Sequence, residues 1–388
     1  MTLRTLSRST AAVLALLMIG SAALAASGDY YVYIGTYTRN KGKGIYSFHF
    51  NASSMAVTPA ALAAEAPNPS FLAVHPNGRF LYASNEHPAP NDPEKNGTVT
   101  AFTIDPATGN LTLLNRVSAR GEGPAHIVLD KTGRAMIVAN YLGGSVALLP
   151  VTPDGKLGEA TAFYQQTGSG PVKGRQDVPH AHGAAFSPDN RFAILAEHGI
   201  DEVMVYRVDA AKSTMVPAET PIYKATPGAA PRHVTFSPSG RFVYVLNEIG
   251  STITVYGYGA AAGTLSKTQE ITTLPADFHG NSGTAQLQLD RAGKFLYASN
   301  RGHDSIAVFA VDPKLGTLRL VEHVPTQGKT PRDFSLDPTG GFLFVANQNS
   351  DNVVIFKVNP NTGKLTPTGI VISDVPEPVC VVFVAAKN

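Results

Sequence analysis

The sequence predicts an all-β protein: a seven-bladed β-propeller of four-stranded antiparallel blades, its ring closed by one blade shared between the two chain ends. Three observations carry this. A turn-centred motif recurs along the chain, clearest at His75-Pro76-Asn77-Gly78-Arg79-Phe80, Ser237-Pro238-Ser239-Gly240-Arg241-Phe242 and Asp337-Pro338-Thr339-Gly340-Gly341-Phe342. Weaker copies centre on Gly133, Asn190 and Gly293, and the six centres stand 55, 57, 50, 53 and 47 residues apart. That is the period of a propeller blade. Second, short runs rich in β-branched and aromatic residues flank each turn, and no apolar pattern is long enough for an amphipathic helix. Third, the two ends hold complementary parts of a further blade.

The first 25 residues stand apart. Arg4 and Arg8 precede an apolar stretch over 11–19, and Ala23-Leu24-Ala25 offers a small-residue cleavage site. This is the signature of a secretory signal peptide, with an apolar stretch too short to span a membrane. Cleavage after Ala25 would leave a single propeller domain, 26–388. The leader removes two of the 31 basic residues and no acid, so the mature chain balances 29 against 29. A neutral surface gives no electrostatic case for nucleic acid or for an anionic membrane. The expectation is an exported, soluble protein.

The blade elements follow in order. Residues 31–36 read as a second strand and 44–50 as a third, with no first strand before them. In the best copy, Pro231-Arg232-His233-Val234-Thr235-Phe236 runs into the turn and 241–246 runs out; a third strand lies at 252–256 and a weaker fourth near 265–272. Third strands recur at 98–102, 145–149, 202–206, 305–309 and 352–356. Many end in an Asp/Asn-Pro-x-x-Gly turn, as in Asp312-Pro313-Lys314-Leu315-Gly316. The missing first strand is supplied by Pro378-Val379-Cys380-Val381-Val382-Phe383, which would close the ring and hide its edges. Cys380 is the only cysteine, so no internal disulfide can form and stability must come from packing between blades.

A tight hairpin places the start of its first strand and the end of its second at one end of the blade, here the mouth of the central channel. Seven residues after each turn centre come Asn85, Asn140, Glu197, Asn247, Asn300 and Asn347, a repetition that predicts a structural role through bonds to nearby backbone. One residue further come Glu86, Tyr141, His198, Glu248, Arg301 and Gln348, which do not repeat. The strand starts vary too: His126, His182, Arg232, His233, Gln286, Arg332 and Asp333. Seven of the eleven histidines (87, 126, 180, 182, 198, 233 and 303) fall near this end. Scaffolding should repeat and a ligand site should not, so a polar, asymmetric pocket is expected here. Two guanidiniums and a carboxylate (Arg232, Arg301, Glu248) are costly to desolvate together unless paired or used.

Other chemistries find less support. His180-Ala181-His182 would put two imidazoles on one face of a strand, where His126, His233 or a carboxylate could complete a metal site. His-x-His is an unspecific pattern, however, and the arginines would repel a cation. No cofactor is therefore expected, with a divalent ion left open. There is no Gly-x-Ser-x-Gly elbow, Gly280-Asn281-Ser282-Gly283 reads as a loop, and Cys380 reads as a buried small hydrophobe. No Gly-rich loop opens a helix to cradle phosphate. What remains is acid–base work by His and Glu with arginine stabilisation of an oxyanion, the parts that ester or lactone hydrolysis needs.

At these residues the chain resembles the seven-bladed propeller lactonase family, which includes bacterial 6-phosphogluconolactonases and fungal carboxy-muconate lactonizing enzymes. The resemblance spans nearly the whole mature chain. It is densest in Gly228-Ala229-Ala230-Pro231-Arg232-His233 followed by Tyr244-Val245-Leu246-Asn247-Glu248, with His180-Ala181-His182 and Ala298-Ser299-Asn300-Arg301 in support. It implies His182, Arg232, Glu248 and Arg301 as the catalytic set. His126, His180, His233, Gln286, Arg332 and Gln348 are expected to bind substrate. Which of His182 and Glu248 activates water stays open. A leader peptide departs from the cytoplasmic setting of phosphogluconolactonases, so the combination implies a periplasmic gluconolactonase acting on an unphosphorylated sugar lactone, glucono-1,5-lactone. A phosphogluconolactonase or muconate-type cycloisomerase on the same site, and a non-enzymatic periplasmic binding propeller, are the rivals. Oligomeric state is left open.

Overall fold

The computed structural model describes residues 28–87, 92–93 and 95–386, so the leader expected at 1–25 lies outside the described residues. Seven antiparallel sheets form the blades. Blade I comprises Pro69–Val74, Phe80–Asn85, Thr98–Ile104 and Leu111–Ser118. Blade II runs from Pro124–Leu129 to Ala162–Gln165, blade III from Ala181–Phe186 to Thr214–Lys224, and blade IV from Pro231–Phe236 to Thr264–Thr272. Blade V spans Gly283–Leu289 to Leu318–Pro325, and blade VI Pro331–Leu336 to Leu365–Ile372. In blade VII the C-terminal strand Pro378–Ala385 pairs with Asp29–Thr36, from Tyr30 opposite Ala385 to Thr36 opposite Pro378. Gly44–Asn51 continues that sheet, and its outer edge is split between Ala56–Val57 and Ala61–Glu65. The first strands of successive blades contact one another in a closed cycle, VII back to I included, so they are the inner wall of the ring.

The turn motif works through one backbone requirement. All six centres adopt the left-handed conformation, Gly78, Gly133, Gly240, Gly293 and Gly340 at φ between 67° and 76° and Asn190 at 60°. Gly tolerates this without cost and Asn better than most residues, which explains how Asn190 stands in for glycine in blade III.

Packing between blades replaces disulfides. Fully buried Phe, Tyr and aliphatic side chains from facing sheets form the interblade cores; Phe344 of blade VI, for example, meets Phe50 and Phe383 of blade VII at 4.9 and 5.0 Å between ring centroids. A recurring polar stitch crosses the same seams. The hydroxyl of a second-strand tyrosine donates to the turn-glycine carbonyl of the next blade: Tyr33 to Gly109 (2.6 Å), Tyr82 to Gly155 (3.0 Å), Tyr244 to Gly316 (3.0 Å) and Tyr297 to Gly363 (2.9 Å). Each buries an aromatic ring while satisfying its one polar atom. Cys380 is free and buried in this packing, with the Leu72 N–H 3.3 Å from its sulfur. Burial pushes its thiol pKa well up, which makes it a poor nucleophile.

Candidate active site

Two local devices shape the channel mouth. The first is the repeated Asn at the end of each second strand, fully buried in every copy. The side-chain amides of Asn85, Asn140, Asn300 and Asn347 donate to the carbonyls of Pro67, Ala119, Thr273 and Thr326, tying down the segment that enters each blade. Glu197 reverses the polarity in blade III: its carboxylate accepts the backbone N–H groups of His180 and, at 2.9 Å, Ile200. Burial raises the Glu197 pKa to about 7.

The second device is a β-bulge near the start of the inner strands. In blades III, IV and VI pairing jumps from Ala181 to Gly183, from Pro231 to His233 and from Pro331 to Asp333. The unpaired residues are His182, Arg232 and Arg332. Bulges re-aim side chains, and here they turn the polar residues to the mouth.

Glu248 is the hub. Its Oε2 accepts Nε of Arg232 at 3.0 Å and lies 2.9 Å from Nη2 of Arg301; its Oε1 accepts Nη2 of Arg175 at 2.5 Å. His198 Nε2 stands 3.7 Å from Oε1, too far for a hydrogen bond. Burial by itself would raise the Glu248 pKa, but Arg301, then His198 and Arg232, outweigh it and hold the carboxyl well below its ordinary value. Glu248 is therefore ionised at any physiological pH. Arg232 is 3% exposed; its guanidinium also donates to the Ala285 carbonyl and to His233 Nε2 (3.1 Å). Arg301 is anchored on the Gly283 and Thr284 carbonyls at 3.3 and 2.8 Å. A cavity of about 590 Å³ opens above this cluster, walled by Arg175, Glu248, Asn281, Ser282, Arg301 and Thr330 among others.

Arg175 escapes a repeat-based reading because it belongs to no strand. It sits on the 166–180 connection between blades II and III, the longest between blades, which accounts for the widest gap between turn centres. The buried Gln176 pins that loop by donating to the His198 carbonyl and to Asp201 Oδ1, both at 2.8 Å. The 273–282 loop supplies Asn281 and Ser282; of the Gly280-Asn281-Ser282-Gly283 segment the first three residues are loop, as expected, and Gly283 opens the first strand of blade V.

The predicted residues divide into three groups. Arg232, Glu248 and Arg301 come together directly. His182 lies beside them, its ring 5.3 Å from that of His233 and 5.2 Å from that of Tyr141. Burial, then Arg232, lowers its pKa well below 6.5, so it is neutral. A second group sits deeper: His126, His233 and Gln286 form part of a belt of side chains and, like His182 and Arg232, lie behind the residues that wall the cavity. The His126 ring meets Phe71 at 4.2 Å and His233 at 5.0 Å, and Phe71 reaches His233 at 5.9 Å. Blades I and IV are not neighbours, so these rings meet across the lumen and fill it at this level. Gly183 makes the room, since a Cβ there would stand 2.8 Å from the His233 ring and 2.5 Å from the Arg232 carbonyl oxygen.

The third group surrounds the cluster. Arg332 Nη2 donates to the Tyr37 hydroxyl at 2.6 Å, and Tyr37 donates on to Glu86 at 3.2 Å. Tyr37 follows a blade-VII strand that has no turn centre, which hid it from the register count. His180 stacks on Tyr141 at 4.4 Å and bonds its carbonyl through Nδ1 at 2.8 Å. His180 precedes the strand and His182 is the bulged residue, so the alternation that would pair them as metal ligands does not hold. Among the described residues no group of three His, Cys, Asp or Glu is arranged around a metal position. Gln348 falls in a short 3-10 turn, Gln348–Ser350, and lines a second cleft with Asn40, Lys41, Asp351 and Glu377, while its N–H donates at 2.9 Å to the carbonyl of Thr330, a wall residue of the Glu248 cavity.

An asymmetric, arginine-rich mouth on a seven-bladed ring defines the class: a β-propeller with a charged pocket at one end of its channel. The chain belongs to the lactonase family described as "Lactonase, 7-bladed beta-propeller", whose model matches residues 31–383, and it is a lactone hydrolase. It is 37% identical to the 6-phosphogluconolactonase of Bacillus subtilis over 305 residues, 79% of this chain and 84% of that one. The 6-phosphogluconolactonase of Formosa agariphila is 36% identical over 314 residues, 78% of this chain and 85% of that one. Among solved structures, the periplasmic gluconolactonase of Pseudomonas aeruginosa matches with a TM-score of 0.86 at 33% identity, covering 92% of this chain and all of that one.

Proposed function

We propose that the protein hydrolyses glucono-1,5-lactone to gluconate in the periplasm, with Glu248, Arg232, Arg301 and His182 as its catalytic set. The observation that carries the site is the ionised Glu248 on a cavity wall, bonded by Arg175, Arg232 and Arg301. The leader-like N-terminus and the likeness to a periplasmic gluconolactonase support the location and the unphosphorylated substrate.

The division of labour follows from charge and placement. Glu248, ionised and on the cavity wall, orients the attacking water and fixes the guanidiniums. Arg301, on the cavity wall, and Arg232 behind it stabilise the oxygen of the tetrahedral intermediate, where preorganised donors have most effect. His182, neutral and adjacent, takes the water's proton and returns it to the departing ring oxygen. A sugar lactone is an activated ester, so this modest machinery suffices. Assay of the mature chain on glucono-1,5-lactone, with Glu248→Gln beside it, tests the assignment: turnover should fall in the variant, and unchanged turnover removes Glu248 from the reaction.

One observation favours a second substrate. Arg175, Arg232 and Arg301 converge on the single carboxylate of Glu248, and Arg332 adds a further positive charge whose link to Glu86 runs through Tyr37; this surplus of positive charge suits an anionic lactone such as 6-phosphogluconolactone. Parallel kcat/KM values for the two lactones decide between them.

A further inference from the structure

Beneath the cavity, a chain of hydrogen bonds links Arg232 to the ring-closing blade, with donation from both ends converging on Asp333. The Val381 N–H donates to Asp333 Oδ2 at 2.7 Å. Gln286 Nε2 donates to Asp333 Oδ1 at 2.5 Å, and Gln286 Oε1 accepts both the Leu287 N–H (3.0 Å) and His233 Nδ1 (2.8 Å). His233 Nε2 then faces Arg232 Nη1 at 3.1 Å.

The donors leave one consistent assignment. Leu287 N–H can only donate, so the carbonyl end of the Gln286 amide must face it, and the amide end must face Asp333. An Oε1 that accepts from Leu287 also accepts from His233, so the proton of His233 sits on Nδ1. Its Nε2 is then a lone pair aimed at the guanidinium. The opposite tautomer, or an imidazolium, would set N–H against N–H beside Arg232.

We propose that Asp333 and Gln286 are positioning residues for the lactonase reaction: they lock His233 in its Nδ1–H neutral tautomer, and His233 thereby holds Arg232 in the orientation that serves Glu248 and the developing oxyanion. The kinetic part of this rests on the proposed role of Arg232; the tautomer does not. Three features fit. Asp333 is 3% exposed and His233 4%, too buried to serve as surface polarity. Burial, then Arg232, lowers the His233 pKa well below 6.5, in keeping with a ring that stays neutral. Gly183 supplies the space the His233 ring occupies, so the third blade gives up its own belt side chain for it. The Val381 bond adds a consequence: the relay is complete only when the C-terminal strand has docked.

The test uses the full mature chain with histidine-selective ¹⁵N labelling, reading the His233 ring nitrogens by NMR in wild type, Asp333→Asn and Gln286→Glu. His233→Gln supplies the resonance assignment. Wild type should show a neutral Nδ1–H ring across pH 5 to 8. Gln286→Glu, which puts a carboxylate against Nδ1, should raise the His233 pKa into that range and bring a new acid limb to the kcat profile. Asp333→Asn should lower kcat about tenfold with KM nearly unchanged, as expected when one hydrogen bond that orients a charged group is lost. A wild-type ring protonated on Nε2, or a Gln286→Glu variant that is folded yet leaves the His233 titration and the pH profile where they were, overturns the proposal. If wild type turns over no lactone offered, the substrate reading fails while the tautomer result still decides the relay.

Discussion

At the scale of single residues, the site is one carboxylate held among three guanidiniums, and its behaviour should follow from that imbalance. Glu248→Gln removes the only negative charge that touches Arg175, Arg232 and Arg301 together. Turnover should fall by roughly 100-fold, the order expected when preorganised electrostatics are lost, and thermal melting should also drop because buried arginines are left unpaired. Steady-state kinetics with a melting curve checks both. Gly183→Ala makes a subtler case. The new methyl group would press on the His233 ring and the Arg232 carbonyl, so kcat should fall more than the melting temperature does. An activity equal to wild type would mean that His233 does not orient Arg232.

At the scale of elements, the 166–180 connection and the innermost strands do different work. Arg175 reaches Glu248 from a loop and its side chain is 49% exposed, so it screens the carboxylate rather than building the site. Arg175→Ala should leave folding unchanged and alter KM several-fold more than kcat, a split readable in one saturation curve. The strands were legible beforehand because turn centre, strand alternation and the mouth position are tied to one period. Counting from Gly240 and Gly293 was enough to place Glu248 and Arg301 side by side. Arg175 and Tyr37 were not legible, since neither lies in a blade that offers a turn centre to count from. The belt was not legible either: His126 and His233 each follow a bulged residue and Gln286 lies within a bulge, and bulges leave no mark on the sequence.

At the scale of the whole molecule, ring closure and buried histidines govern stability. The shared blade VII was foreseen because each end lacked what the other held, and the pairing of Asp29–Thr36 with Pro378–Ala385 bears that out. Removing 378–388 should cost cooperative folding altogether, seen as loss of the thermal transition. The pH dependence has a definite sign. Burial lowers the pKa of His126 to about 3 and holds those of His182 and His233 well below 6.5. Below about pH 6.5 the unfolded chain takes up protons at these three positions that the folded chain refuses, so stability is full above 6.5 and falls as pH drops. Two buried acids oppose this. Glu197 and Asp333 have pKa values raised to about 7 and 6, so their contribution declines as pH rises from about 4 through those values. Three histidines outnumber two acids, and melting temperature should fall from pH 6.5 to 5. His126→Phe, which keeps the ring stacked near Phe71 but removes the titration, should flatten that slope.

On the proposed function, an arginine-organised carboxylate at the propeller mouth hydrolyses a sugar lactone. The most direct measurement is pH-stat hydrolysis of glucono-1,5-lactone by the purified mature chain, with the spontaneous rate subtracted and Arg232→Ala and Arg301→Ala run alongside. Wild type should show saturable turnover, with a loss of roughly 100-fold or more in each folded variant. Turnover that survives both substitutions, or none in wild type above the spontaneous rate, would overturn the assignment.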